Sequence, residues 1–533
     1  MRNSPLKSLT SDPDKGFLLA LALTTFVVHL LATALGAYGY FRDELYYLAC
    51  TEHLDIGYVD QPPFSIYVLA VNRLLFGDSL IALRLLPAAA HAATVFFTGT
   101  MARELGGDRF AQLLASCASL VSPIYIGMNG IFSMNSFDVL LSTAAAYVVL
   151  LILKAGFDSR SPSPEEEHQR MLQTRYWLLL GVILGIGLLN KISVLWLGAG
   201  IAIGFLLTPH RKWLKTPWPW MAGGVAVLIF LPYVIWNLHH DFAHLEFIRN
   251  ASGGKYASLT PWSFIGGQVI LQNPLSFPIW MAGLISFLFG KTKRTFRPLG
   301  IIYVVSFLIL ILNGHTKAEY LSASYGMLFA GGGVAIERFI IRCGWGWLRP
   351  TFLAALFISG CMMAPFAIPL LPVETFIRYQ AALGVAPSTP EGKRLDKLPQ
   401  FYADMFGWEE KAAAVARVFH SLAPEEKARC AIFADNYGRC GAIDFFGPRY
   451  GLPKSIGNHN SYWIWGPRQY TGETMIIPGG NPEDDRRYFE EVRVADSVSC
   501  TYCMPYENHL TITVCRKPRE PMREIWPRIR HYE

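Results

Sequence analysis

Arg42-Asp43-Glu44 sets two adjacent carboxylates beside a guanidinium just after an apolar run, Phe17 to Ala37. Carboxylates at the edge of a bilayer are costly unless they face water or a cation, which makes them functional-site candidates. Their natural chemistry is proton transfer: a carboxylate can take the proton of a hydroxyl as that hydroxyl attacks an electrophilic carbon. Other polar groups recur where apolar runs begin or end. They include Gly57-Tyr58-Val59-Asp60-Gln61, Asn129 to Asp138, Asn190-Lys191, and Asn237 to Asp241 followed by His244 and Arg249; the last is Asn313-Gly314-His315-Thr316-Lys317-Ala318-Glu319-Tyr320. The cations in this set, Lys191, Arg249, His315 and Lys317, suit a phosphate. On local grounds the two lysines could equally snorkel to the membrane surface. His239, His240, Asp241 and His244 have a spacing that could bind a metal, but an outward loop gathers such residues without one, and no metal ligand is assigned. Cys500-Thr501-Tyr502-Cys503 lacks the second pair a zinc site would need and reads as a disulfide or free thiols.

Long apolar helices must position these groups. Of the 533 residues 52% are hydrophobic and 16% charged, and the mean hydropathy is +0.28, the composition of an integral membrane protein. Runs long enough to cross a hydrocarbon core of about 30 Å fall near 17–37, 80–102, 110–128, 137–154, 176–190, 192–208, 218–237, 262–290, 298–312, 319–337 and 350–371. The expectation is about eleven crossings. Alternate loops carry nineteen Lys and Arg against seven in the intervening ones, which places the N-terminus in the cytoplasm and every polar cluster named above outside it. The net charge of +7 is mostly this topological signal, and no basic, aromatic surface suggests nucleic acid.

Beyond residue 371 the composition becomes that of a soluble domain, after a junction marked by Pro372, Pro387, Pro390 and Pro399. Residues 1–371 therefore form the transmembrane domain, and residues 372–533 are expected to form a mixed α/β extracytoplasmic domain. Cys430 to Ala434, Thr474 to Ile477 and Leu510 to Val514 read as strands, Asn436 to Phe446 as a helix, and Pro482 to Val494 as a polar helix.

The set Arg42-Asp43-Glu44-Leu45-Tyr46-Tyr47, Gly57 to Pro63, Asn135-Ser136-Phe137-Asp138 and Lys317 to Tyr320 resembles the polyprenyl-phosphate-dependent GT-C glycosyltransferases. The similarity is to bacterial relatives of the protein mannosyltransferases and of the lipid A aminoarabinose transferase, over about residues 17–340. Asn436-Tyr437-Gly438, Phe446 to Pro453 and Asn458 to Trp463 are similar to the external domain of many bacterial members. The resemblance implies that Asp43 is the catalytic carboxylate, with Glu44 and Asp138 shaping the same cavity, and that transfer inverts the anomeric carbon. Two departures stand out. Gln61-Pro62 replaces the lysine-proline pair of the aminoarabinose enzymes, and the external domain lacks the β-trefoil pattern of the eukaryotic protein mannosyltransferases.

The expectation is a membrane hexosyl- or pentosyltransferase in a bacterial cytoplasmic membrane. It would take a sugar from a polyprenyl-phosphate donor and place it on a glycan, lipid or protein acceptor at the outer face. Asp43 and Glu44 are the catalytic candidates, and Asp138, Lys191, Arg249, His315, Lys317, Tyr320, Tyr58 and Gln61 the substrate-binding ones. No cofactor is required and no divalent metal is indicated. A polytopic transporter is the alternative, but transporters show related halves with broken helices at the midplane, whereas these polar groups gather at one face.

Overall fold

A computed structural model describes residues 13–156, 164–255, 259–314, 316–389 and 391–533. The chain divides into two compact units. One comprises Met1–Gly36, Ile81–Val234 and Ser258–Leu370, the other Ala37–Leu80, Ile235–Ala257 and Leu371–Glu533.

Among the described residues the first unit's regular structure is helical, as hydrocarbon requires of a spanning chain that must satisfy its own backbone polar groups. Among the described residues seven helices are long and apolar enough to cross: Lys15–Leu35, Leu80–Glu104, Met134–Ala155, Met171–Asn190, Pro217–His239, Arg294–Asn313 and Leu348–Ala367. Two more crossings follow if bent pairs count as single spans, Val194–Leu206 with Pro209–Lys215 at 107° and Pro261–Leu271 with Pro274–Phe289 at 92°. Proline explains both breaks. Pro209 and Pro274 cannot continue the preceding helix, and at the second break Asn273, at φ 70°, caps the new turn through its own side chain.

The count is thus seven to nine rather than eleven, and the difference lies in two expected segments. Residues 110–128 split at Val121-Ser122 into Arg109–Leu120 and Pro123–Met128. Residues 319–337 open as a 3-10 turn, Ala318–Ser324, before the Gly326–Cys343 helix, which carries Glu337, Arg338 and Arg342. Glu337 is buried for a reason: its carboxylate accepts from the N–H groups of Asp108 (2.9 Å) and Ala111 (3.1 Å) and so caps the Arg109–Leu120 helix.

The second unit holds a five-stranded mixed sheet, β1 (Cys430–Ala434), β2 (Ile456–Gly457), β3 (Thr474–Pro478), β4 (Phe489–Val498) and β5 (Leu510–Pro518), in the order β2-β1-β3-β5-β4. β1 is parallel to β2 and β3, and β5 antiparallel to β3 and β4. Side chains alternate between two cores, as strand geometry dictates. Ile432, Ile476 and Val514 join Val415 and Phe419 on one face, and Ala431, Met475 and Cys515 join Trp526 on the other. The expected strands and the helix after β1 are present. The expected polar helix at 482–494 is not: helix covers only Pro482–Asp485, and Phe489 onward pairs along β5, because cross-strand pairing outweighs the helical pattern. All nine cysteines are thiols.

Candidate active site

In the second unit Arg42–Thr51 forms a helix directly after the first membrane span. Glu44 starts it: the fully buried carboxylate accepts from the Phe41 N–H at 2.8 Å, satisfying a donor at the helix N-terminus. The helix lies against Tyr437–Phe446, which Asn436 caps through the Gly438 N–H at 2.7 Å. Glycine permits this close approach. A Cβ on Gly438 would stand 2.5 Å from Arg42 Cγ, and one on Gly441 2.7 Å from the Leu45 carbonyl carbon.

The packing lays Tyr437 over the acidic pair. Asp43 Oδ1 accepts from the Tyr437 hydroxyl at 2.8 Å and from Arg42 Nε at 3.2 Å. The Asp43 side chain is 36% exposed while that of Arg42 is 7% exposed, so of the two the carboxylate is the one a substrate can reach. Arg42 also stands 3.5 Å from both Glu391 and Asp404, donates to the Tyr506 hydroxyl at 3.1 Å, and lies over the Tyr437 ring. Burial raises the Asp404 pKa to about 7, against the opposing pull of Arg42.

Tyr58 and Gln61 are buried in the same unit. The Tyr58 hydroxyl points to the carbonyls of Cys50 and His53, which fixes the loop after the helix. The Gln61 side-chain amide finds no hydrogen-bond partner among the described residues. Arg249 is exposed on the Ala243–Asn250 helix. His315 lies outside the described residues.

The first unit brings together Asp138, Lys191 and Tyr320. Ser133 caps the Met134–Ala155 helix, which places Asp138 in its second turn. Lys191 follows the helix ending at Asn190, and its ammonium donates to Asn135 Oδ1 at 2.7 Å, stands 3.6 Å from Asp138 and sits 4.6 Å over the Tyr320 ring. Ser193 donates to Asp138 at 3.3 Å. Asp138, Ser193, Trp196 and Tyr320 line a small recess with Ser142 and Ser324. Lys317, half-buried, stands 4.0 Å from Glu319.

Tyr437, Glu391, Asp404 and Tyr506 were not singled out by the sequence; Tyr437 alone stands in one of the motifs quoted for the external domain. Chemically, a half-exposed carboxylate held by a phenol and a buried guanidinium can accept a proton, and a lysine amid hydroxyls and aromatic rings can bind a polar anion.

One effect separates Glu44 from Asp43. Glu44→Gln keeps an acceptor for the Phe41 N–H and removes only a charge, so we expect a loss of stability of about 1 kcal/mol with transfer largely retained. Thermal melting alongside turnover checks this.

The sequence profile of the dolichyl-phosphate-mannose-protein mannosyltransferase family matches residues 60–236. The lipid A galacturonosyltransferase RgtD of Rhizobium johnstonii is 26% identical over 409 residues, covering 76% of this chain and 78% of that protein. An undecaprenyl phosphate-alpha-4-amino-4-deoxy-L-arabinose arabinosyl transferase of Pseudomonas fluorescens is 24% identical over 222 residues. That match spans 40% of this chain and only 36% of the relative. In fold the chain is similar to ArnT from Cupriavidus metallidurans, solved with undecaprenyl phosphate, with a TM-score of 0.59 at 12% identity over 93% of this chain and 97% of that one. A helical membrane unit followed by a mixed α/β domain, and similarity to these sugar transferases, relate this chain to the GT-C superfamily of polyprenyl-phosphate-dependent glycosyltransferases.

Proposed function

We propose that this transferase moves a glycosyl group from a polyprenyl-phosphate donor to a sugar hydroxyl of a lipid acceptor, with Asp43 as the general base. The observation that carries the reading is the half-exposed Asp43 carboxylate between Tyr437 and Arg42. In the reaction Asp43 takes the acceptor hydroxyl proton, the oxygen forms its bond to the anomeric carbon, and the bond to the phosphate oxygen breaks. Single displacement inverts that carbon. The departing polyprenyl phosphate gains negative charge, which preorganised cations stabilise; we assign this to Lys317 and Lys191, with Arg249 and His315 as secondary candidates. A lipid acceptor is favoured by the relative that matches most of the chain, a lipid A glycosyltransferase.

The chain is a bacterial multi-pass membrane protein with an extracytoplasmic C-terminal domain. We assign that domain to residues 372–533 and the N-terminus to the cytoplasm, from the basic residues of alternate loops. The test is transfer of labelled sugar from polyprenyl phosphate to a lipid A-type acceptor in proteoliposomes, with and without a chelator. Transfer only to protein would overturn the lipid acceptor, and a chelator effect would add a metal to the reaction.

Lys317→Ala should raise the KM for the donor roughly ten-fold, the loss of one charged hydrogen bond, and Lys317→Arg should restore part of it. If the side chain only snorkels, donor KM and turnover stay at wild-type values.

A further inference from the structure

Asp404 follows the short Gln400–Ala403 helix, and its side chain is 1% exposed. Oδ2 lies 3.5 Å from Arg42 and accepts from Gln400 Nε2 at 3.3 Å, while Oδ1 meets no donor among the described residues. The same Gln400 amide donates to Glu391 at 2.7 Å, and Glu391 also stands 3.5 Å from Arg42. One buried guanidinium thus faces three carboxylates, Asp43, Glu391 and Asp404. The remaining groups that face Asp404 are Tyr506, a phenol that is neutral near pH 7, and Gln400, which has no charge to give.

Three carboxylates and one cation would leave two negative charges in a largely buried cluster, and like charges confined this way hold on to a proton. Asp404 is where it stays. Of the three it is the most enclosed, and one of its oxygens lacks any donor that would favour the anion. Burial and the neighbouring carboxylates raise its pKa to about 7.

We propose that Asp404 is a positioning residue for sugar transfer, whose proton sets how firmly Arg42 clamps Asp43. With the proton on, the full anions available to Arg42 are Asp43 at 3.2 Å and Glu391 at 3.5 Å. With it off, Asp404 competes for the guanidinium and adds negative charge beside Asp43, which makes Asp43 the stronger base. Turnover therefore rises with pH through neutrality. The inference rests on the reading of Asp43 as the base.

The test is kcat for the full-length enzyme in proteoliposomes between about pH 5.5 and 8.5. Wild type should gain about three-fold in kcat across this range. Asp404→Asn, permanently neutral, should lose this rise and stay near the wild-type rate at about pH 6. An unchanged rise in Asp404→Asn overturns the proposal, and so does a uniform loss at every pH, which is what a merely structural role produces. Folding raises the Asp404 pKa from 3.8 to about 7, so the wild type loses stability as pH increases between those values. Asp404→Asn should accordingly melt higher than wild type at about pH 8, a readout that does not depend on turnover. Should Asp404→Asn fail to fold, Glu391→Gln decides: removing one competing carboxylate should move the rise toward lower pH, and an unmoved rise overturns the proposal. An active Asp43→Asn defeats the reading of the base, whereas an inactive Asp43→Asn with an unaltered rise in Asp404→Asn defeats this inference alone.

Discussion

Asp43→Asn should lower sugar transfer by about 10²–10⁴-fold, the range expected when a general base is lost, in a protein that folds and inserts as wild type does. The amide keeps the carbonyl oxygen that accepts from the Tyr437 hydroxyl at 2.8 Å and Arg42 Nε at 3.2 Å, so the geometry survives and only basicity is removed. Donor binding should change little, because the acceptor proton is not yet moving in the ground state. The measurement is kcat and donor affinity in proteoliposomes, with thermal melting as the control for folding. Activity above about a tenth of wild type would exclude Asp43 as the base. Tyr437→Phe separates its two neighbours. It removes the phenol's hydrogen bond and leaves Arg42 in place, so it should cost far less than Asp43→Asn, since it displaces the base without abolishing it.

Asp43 was legible in the sequence as a candidate because its signal is local, two adjacent acids at the end of an apolar run, but that signal did not separate it from Glu44, which starts the helix. The partners of Asp43 were not legible. Glu391, Asp404, Tyr437 and Tyr506 lie hundreds of residues away along the chain, and only folding brings them to Arg42. The strands Cys430–Ala434 and Thr474–Pro478 were legible as short apolar runs, whereas Phe489–Val498 alternates too weakly and owes its conformation to pairing with β5. Apolar length located the spans, but the splits at Pro123 and at the Ala318–Ser324 turn come from local backbone chemistry that a hydropathy window averages away. Gln61 shows a different limit. It stands in the Gly57 to Pro63 motif that made it a substrate-binding candidate, and nothing in that motif signals that its side chain is completely buried.

The second large effect concerns Lys191 and Asp138, whose side chains are 9% and 7% exposed. Lys191→Met should destabilise the protein by about 3–5 kcal/mol, because it leaves the buried Asp138 carboxylate without its cation and with the Ser193 hydroxyl as its remaining hydrogen-bond donor among the described residues. The double variant Lys191→Met with Asp138→Leu removes both charges and should recover most of that stability, since a buried pair replaced by apolar groups of similar volume is often neutral. Transfer distinguishes what the pair is for. If Lys191 meets the donor phosphate, the double variant folds but remains deficient, with a raised KM for the donor, because the charge that holds the anion is gone. If the pair only joins the Met134–Ala155 helix to the segment after Asn190, the double variant transfers as wild type. Melting and kinetics on both single variants and the double variant give the coupling free energy, and wild-type turnover in a stable double variant would remove Lys191 from the site.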